Sequence, residues 1–502
     1  MSLTTSATEK KAPTVVGIRR QSPATETTNA SSVTFRVTFS EKVSGVDASD
    51  FIALALSGNV RGTLADLALE TLGVKGSSAV VPVGDDRTTY DVSVRALSGS
   101  GTLRLDLKAD SRIRDSDGNI VSGGYAAGET YTIKPSGGGF AAFSDIAPLP
   151  IASHTGQKPQ AKLWTHAGAW WTVLSTGDGT NIFRLDGAQW TPVLQVATST
   201  NAKADCRVAG EVVHLLLYRG GGKNSYLVSV EYDANAQNYK PWSQRPGRST
   251  IVFHDDSETA TLVLEEGGRL WVASDGNDEM ELRWSDAPYT DFSSPITVAA
   301  GMMDDDICAL AALPGKIGLL WSDQNTKRFG FRTHANGDDP RDWSPDEAPG
   351  AATAQDVGKG FGDDHLNIMT ASDGTLYCAV KTSYDKSRMI KLCLLVRRPD
   401  GSWDDPYPVT TAEGTRPFVL LNEAAGKLRV VYSSLENGGD ILYRESSLAP
   451  VSFGPPFTLI SGNSLYNYAT GTHQVCNGDV VVLATNVESD PLLAVAVRAT
   501  DS

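Results

Sequence analysis

Apolar and polar positions alternate with a period of two along much of this chain. Ser32-Val-Thr-Phe-Arg-Val-Thr-Phe39 puts its large apolar side chains on one face and its polar ones on the other, the pattern of a half-buried strand. Tyr90–Val94, Gly101–Leu107 and Thr130–Ile133 repeat it. Turn-forming clusters separate them: Ser98-Gly-Ser-Gly101, Asp115-Ser-Asp-Gly-Asn119 and Ser122-Gly-Gly124. Roughly seven short strands over residues 13–134 predict a β-sandwich. Residues 1–12 read as a disordered tail and 135–139 as a Gly-rich linker.

Beyond residue 140 the pattern becomes a repeat. A glycine followed by an apolar strand occurs at Gly168, Gly210, Gly268, Gly315, Gly374, Gly426 and Gly478, with steps of 42, 58, 47, 59, 52 and 52. An aromatic opening a later strand occurs at Trp190, Trp242, Phe292, Trp343, Trp403 and Phe453, with steps of 52, 50, 51, 60 and 50. Two markers sharing one period predict stacked four-stranded units. The second marker is missing after Gly478 and reappears at Phe143-Ser-Asp-Ile-Ala-Pro-Leu149, ahead of the first unit. The expectation is an all-β chain: a sandwich, then a seven-bladed β-propeller over residues 140–502. The strand after Phe143 completes the last blade and removes two open edges.

Composition narrows the function. With 44 Lys and Arg against 59 Asp and Glu, the net charge of −15 argues against a general nucleic-acid binder. No apolar run is long enough for a membrane-spanning helix, and no apolar leader follows Met1. Cys206, Cys308, Cys378, Cys393 and Cys476 form no Cys-x-x-Cys pair and read as buried, reduced side chains. The Asp115–Asn119 loop has closely spaced oxygens but no downstream Glu, and reads as an Asx turn rather than a calcium loop.

Val33–Val43, Gly101–Leu105 and Asp115–Asn119 together resemble the bacterial Ig-like repeats of large surface proteins, which implies a spacer or adhesive module. Ser372-Asp-Gly-Thr-Leu-Tyr377 resembles the Asp-box turn of sialidase-like (BNR-repeat) propellers, one residue short and with Tyr for Trp. Asp363-Asp-His365 and Lys381-Thr-Ser383 are similar to strings in sugar-active or sugar-binding BNR-like propellers. The resemblance implies a secreted or cell-surface bacterial protein, a monomer directed at carbohydrate. The Arg-Ile-Pro of sialidases is replaced by Leu149-Pro-Ile151, which speaks against sialidase activity.

Antiparallel strands bring the starts of the first strands and the loops between second and third strands to one mouth. His365, Lys381, Tyr384 and Arg416 form the candidate catalytic set there. Lys203, Asp205, Arg219, Asp305, Asp363 and Asp364 are the candidate ligand-binding residues. In an acidic-polysaccharide lyase a cation neutralises the uronate, a base removes the C5 proton and an acid protonates the leaving oxygen. Arg416 or Lys381 suits the first task, His365 the second and Tyr384 the third. Asp305 and Asp364 are the carboxylate pair for a glycoside hydrolase, and Asp304, Asp305 and Asp364 a calcium candidate. A lectin-like, adhesive or protein-interaction propeller is the non-catalytic alternative. Recurring Asp residues at strand starts also suit a structural role, bonding a neighbouring blade.

Overall fold

The computed structural model describes residues 12–64, 78–134, 138–462 and 464–501. Residues 1–11, to which most of the expected tail belongs, and 135–137 of the expected linker lie outside the described residues. The chain is all-β. Its one helical turn among the described residues is the 3-10 turn Ala48–Asp50, and no helix is long and apolar enough to cross a membrane. Two compact units divide it: Met1–Ala142 with Ser461–Asn463, and Phe143–Ile460 with Ser464–Ser502.

In the first unit one sheet runs Val15–Ser22, Val33–Phe39, Thr89–Ser98, Arg61–Thr63, with Val80–Pro82 also on Thr89–Ser98. The second runs Thr27–Thr28, Thr130–Ile133, Gly101–Leu107, Phe51–Gly58. Burial alternates residue by residue along Val33–Phe39, as its sequence requires. Phe35, Val37, Val92, Leu105 and Tyr131 meet in one core. Asp115 accepts from the amides of Asp117 and Asn119, both at 2.9 Å, and from Asn119 Nδ2 at 2.8 Å, so the loop is an Asx turn.

The second unit contains seven antiparallel sheets among the described residues. Their first strands are Leu163–His166, Lys203–Ala209, Ala260–Leu264, Cys308–Leu313, Leu366–Thr370, Thr415–Asn422 and Tyr466–Thr470. Successive first strands lie side by side. A parallel bridge between Leu163 and Thr472 joins the last to the first. The strand Ala142–Pro150 lies beside Leu493–Thr500, at the outer edge of the seventh sheet. Fully buried apolar side chains such as Leu262, Leu310 and Leu395 fill the space between sheets, each worth about 1.5–3 kcal/mol.

An acidic and an amide side chain near the strand starts bond between sheets. Asp205 is fully buried and accepts from the amides of Ala161 and Leu262, both at 3.0 Å, tying the second sheet to the third. Asn367 does the same for the fifth and sixth sheets, accepting from the amide of Val419 at 3.2 Å.

The segment between Pro150 and Leu163 runs through the centre and bonds to five of the seven sheets. Ala152 donates to Ser175 O, and Thr155 bonds Tyr468 O and the Thr485 hydroxyl. Gln160 donates to Ala260 O, Asn367 donates to Pro159 O, and Ala161 pairs with Asp205 and Cys206. Buried backbone needs such partners. Gly156 is obligatory: a Cβ there would lie 2.4 Å from Tyr468 O.

Candidate functional site

The sequence-predicted residues separate into groups. Asp363, Asp364 and His365 precede the first strand of the fifth sheet. His365 is 5% exposed. Its Nδ1 lies 2.9 Å from Asp363 Oδ1 and 2.7 Å from Asp364 Oδ1. Burial disfavours the imidazolium, but the two carboxylates outweigh it and raise the His365 pKa. That direction favours the imidazolium, the form that donates a proton rather than accepts one. Its Nε2 is buried without a hydrogen-bond partner.

Lys158, from the central segment, bridges Asp364 and Glu258, the latter at 2.7 Å. Burial opposes the ionised form of Asp364, yet hydrogen bonds from His365 and Lys158 hold its pKa well below the usual carboxylate range. Asp305 moves the other way. Burial raises its pKa first, and the nearby charges of Asp364, Asp306 and Asp304 add to that.

Lys381 ion-pairs with Glu436 Oε2 at 2.8 Å and lies 3.7 Å from Asp363 Oδ2. With Asp363, Ser383, Tyr384 and Glu436 it lines a cleft of about 360 Å³. Two compensating carboxylates make Lys381 a poor sole holder of a ligand's acid group. Tyr384 is 4% exposed, its ring close to Phe361, and its hydroxyl accepts from the Gln355 amide at 2.8 Å. Burial raises its pKa, so it stays protonated.

Three expectations need correction. Asp205 is not a ligand-facing group: its oxygens are engaged by two amides and by His473 Nε2 at 3.0 Å. Arg219 lies over Tyr226, 5.8 Å from the ring centre, and donates to Asn201 and Asn224, apart from the His365 group. The trio Asp304, Asp305 and Asp364 does not form the acidic cluster proposed for calcium. Asp305 accepts from Gln324 at 2.8 Å while Asp364 is held by His365 and Lys158. The ligand atoms that do converge, within 4.8 Å, belong to Asp363, Asp364 and His365. They are already paired with one another, so no ion is assigned to them.

A second group gathers around Arg416. Its guanidinium lies 4.5 Å from the centre of the Tyr468 ring. Tyr468 stacks on His154, with ring centres 3.8 Å apart and planes 8° from parallel. The His154 carbonyl accepts from Lys162 Nζ at 2.9 Å. Lys162 is 1% exposed, and burial, with help from Lys203, pushes its pKa down to about 7. The Lys203 pKa is lowered by burial, with Lys158 and Arg416 adding to the effect and Glu258 opposing it. Among the described residues neither Arg416 nor Lys203 has an ion-pair partner. Sequence reasoning missed His154, Lys158, Lys162 and Tyr468. The available signal was Lys158-Pro-Gln-Ala-Lys162, two cations in a short unpatterned stretch of an acidic chain.

No family model and no curated protein matches this chain. Solved structures align with parts of it. A polysaccharide lyase of family PL25, an ulvan lyase bound to -[GlcA(1-4)Rha3S]-, aligns with a TM-score of 0.46 and 11% identity over 69% of this chain and 95% of its own. An α-L-arabinanase of Penicillium chrysogenum with arabinobiose aligns with a TM-score of 0.40 and 10% identity, over 62% of this chain and 100% of its own. The Dos1 propeller gives 0.40 and 9%, over 66% and 75%. Identities near 10% leave the chemistry to be argued from the residues themselves.

Proposed function

We propose that residues 13–134 form an Ig-like sandwich and 140–502 a seven-bladed β-propeller, in a secreted or cell-surface protein whose propeller mouth binds and cleaves an acidic polysaccharide. The observation that carries this reading is positive charge without an ion pair: Arg416 and Lys203 have none among the described residues of a chain with net charge −15. A ligand carboxylate or sulfate is the natural complement.

The chemistry that suits these groups is elimination. Arg416 opposes the uronate carboxylate and acidifies the C5 proton. His154, kept neutral by burial and the surrounding cations, takes that proton. The C4–O bond breaks as the C4–C5 double bond forms, and charged His365 gives a proton to the leaving oxygen. The test is a panel of acidic and neutral polysaccharides, read by binding and by ultraviolet absorbance of the unsaturated product. His365→Asn should abolish the product and spare binding. A wild-type protein that binds only neutral sugars, or none, would overturn the reading in favour of an adhesive or protein-interaction role.

A second reading, hydrolysis, rests on the opposite pKa shifts of Asp305 and Asp364, the contrast an acid and a carboxylate partner need. New reducing ends without unsaturated product would select it.

A further inference from the structure

The first strands of the sixth and seventh sheets depart from regular pairing at matching places. Register shifts fall between Thr415 and Phe418 and between Asn467 and Thr470. The first-to-second strand ladders of the other five sheets run without a shift. Each irregularity holds a non-glycine residue in the left-handed region, Arg416 at φ +50° and Tyr468 at φ +55°. Such backbone costs energy and persists where the surroundings impose it, and bulges re-aim side chains beside functional sites. Here the two re-aimed residues meet each other, the guanidinium against the phenol ring.

Around this pair two side-chain nitrogens lack partners. Arg416 Nε and His154 Nδ1 are buried with no hydrogen bond. Lys203 reaches the same region, and the His154 ring feels the charges of Lys162, Arg416 and Lys203 together. Arg416, Lys203, His154 and Tyr468 remain partly exposed, while Lys162 closes the floor. The nearby acids have other partners: Glu436 pairs with Lys381, Glu258 with Lys158, and Asp275 accepts from the amides of Glu258 and Thr259. A cationic group open on one side, with unsatisfied donors, fits a small oxyanion.

We propose that Arg416, Lys203, His154 and Tyr468 form a preorganised oxyanion subsite, built by the two matched bulges, that holds a single carboxylate or sulfate group. It rests on the acidic-glycan reading for the origin of that group but not for the subsite itself. Arg416 supplies the charge, Tyr468 holds the guanidinium in place, and Lys203 and His154 close around the oxygens.

The test uses the full chain, with inorganic sulfate and tetragalacturonate as probes at constant ionic strength. Affinity is read by calorimetry and by thermal shift. Arg416→Gln should weaken both probes by about ten- to a hundred-fold, the loss expected of a hydrogen bond to a charged group. Tyr468→Leu should weaken them about three- to ten-fold by freeing the guanidinium. Lys203→Gln is an independent variant should Arg416→Gln fold poorly, and Lys42→Gln, an exposed cation of the first unit, should change nothing. Folded Arg416→Gln and Lys203→Gln proteins that bind both probes like wild type would overturn the inference. If acidic polymers bind while these variants have no effect, the subsite fails and the glycan reading stands. If sulfate binds through Arg416 but no acidic polymer does, the subsite stands and the glycan reading fails.

Discussion

Lys162 offers a quantitative check on the charge distribution at the centre of the second unit. It is buried with one hydrogen bond, to a carbonyl, and its pKa is pushed from 10.5 to about 7. Between these values the unfolded chain binds a proton that the fold does not, so Lys162 makes stability rise with pH across that window. At 1.36 kcal/mol per unit, its burden is about 4 kcal/mol at pH 7 and about 1.5 kcal/mol at pH 9.5. Lys162→Met removes this burden. It also removes the bond to His154 O, a pH-independent loss of about 1 kcal/mol. The variant should therefore be about 3 kcal/mol more stable than wild type at pH 7 and nearly equal to it at pH 9.5. Urea titrations at both values measure the difference, and groups that titrate alike in both proteins cancel. All ten Trp residues lie between Trp164 and Trp403, so tryptophan emission reports this unit alone. A difference that stays constant within about 0.5 kcal/mol between the two pH values would show that the amine keeps its proton in the fold, and would refute the reasoning.

Asp205→Asn should destabilise the second unit by about 2–4 kcal/mol, since one buried carboxylate serves two amides and His473; a loss under about 0.5 kcal/mol in the same titration would contradict that role. The five cysteines are free, four of them buried, so thiol titration should find few reactive groups in the native protein and five after unfolding without reductant. A chain starting at residue 152 should be insoluble or melt far below the intact protein, because Leu493–Thr500 loses its neighbour Ala142–Pro150; equal melting temperatures would dismiss this.

Periodic features were legible in the sequence. Alternation placed Gly101–Leu107 and Thr130–Ile133 with the ends they have in the structure, because a strand with one face buried must write its period into its residues. The glycine markers were legible too, since tight turns restrict their residues. What stayed hidden obeys no period. The central segment satisfies its backbone through side chains far away in sequence, and nothing in Ser153–Lys162 announces those partners. The bulges at Arg416 and Tyr468 are invisible because neither residue type signals a left-handed backbone. The surroundings of His365 stayed hidden for a related reason: they depend on how two adjacent carboxylates turn toward one nitrogen. Asp205 shows the opposite case, where recurrence at strand starts had already suggested bonding between sheets.

The central segment also bears on how this unit comes into being. Thr155 finds Thr485 across 330 residues, and Gln160 finds Thr470 across 310. Joining ends so far apart costs about 5 kcal/mol of chain entropy by the logarithmic law. A ribosome releases the outer partners of this segment 330 and 310 residues later, so the early sheets must wait, with their apolar faces incompletely covered, until those partners emerge. Folding of the second unit should therefore finish only once Leu493–Thr500 has emerged, in one late step that seats the segment and closes the ring. In that interval the protein is most exposed to aggregation and most in need of chaperones.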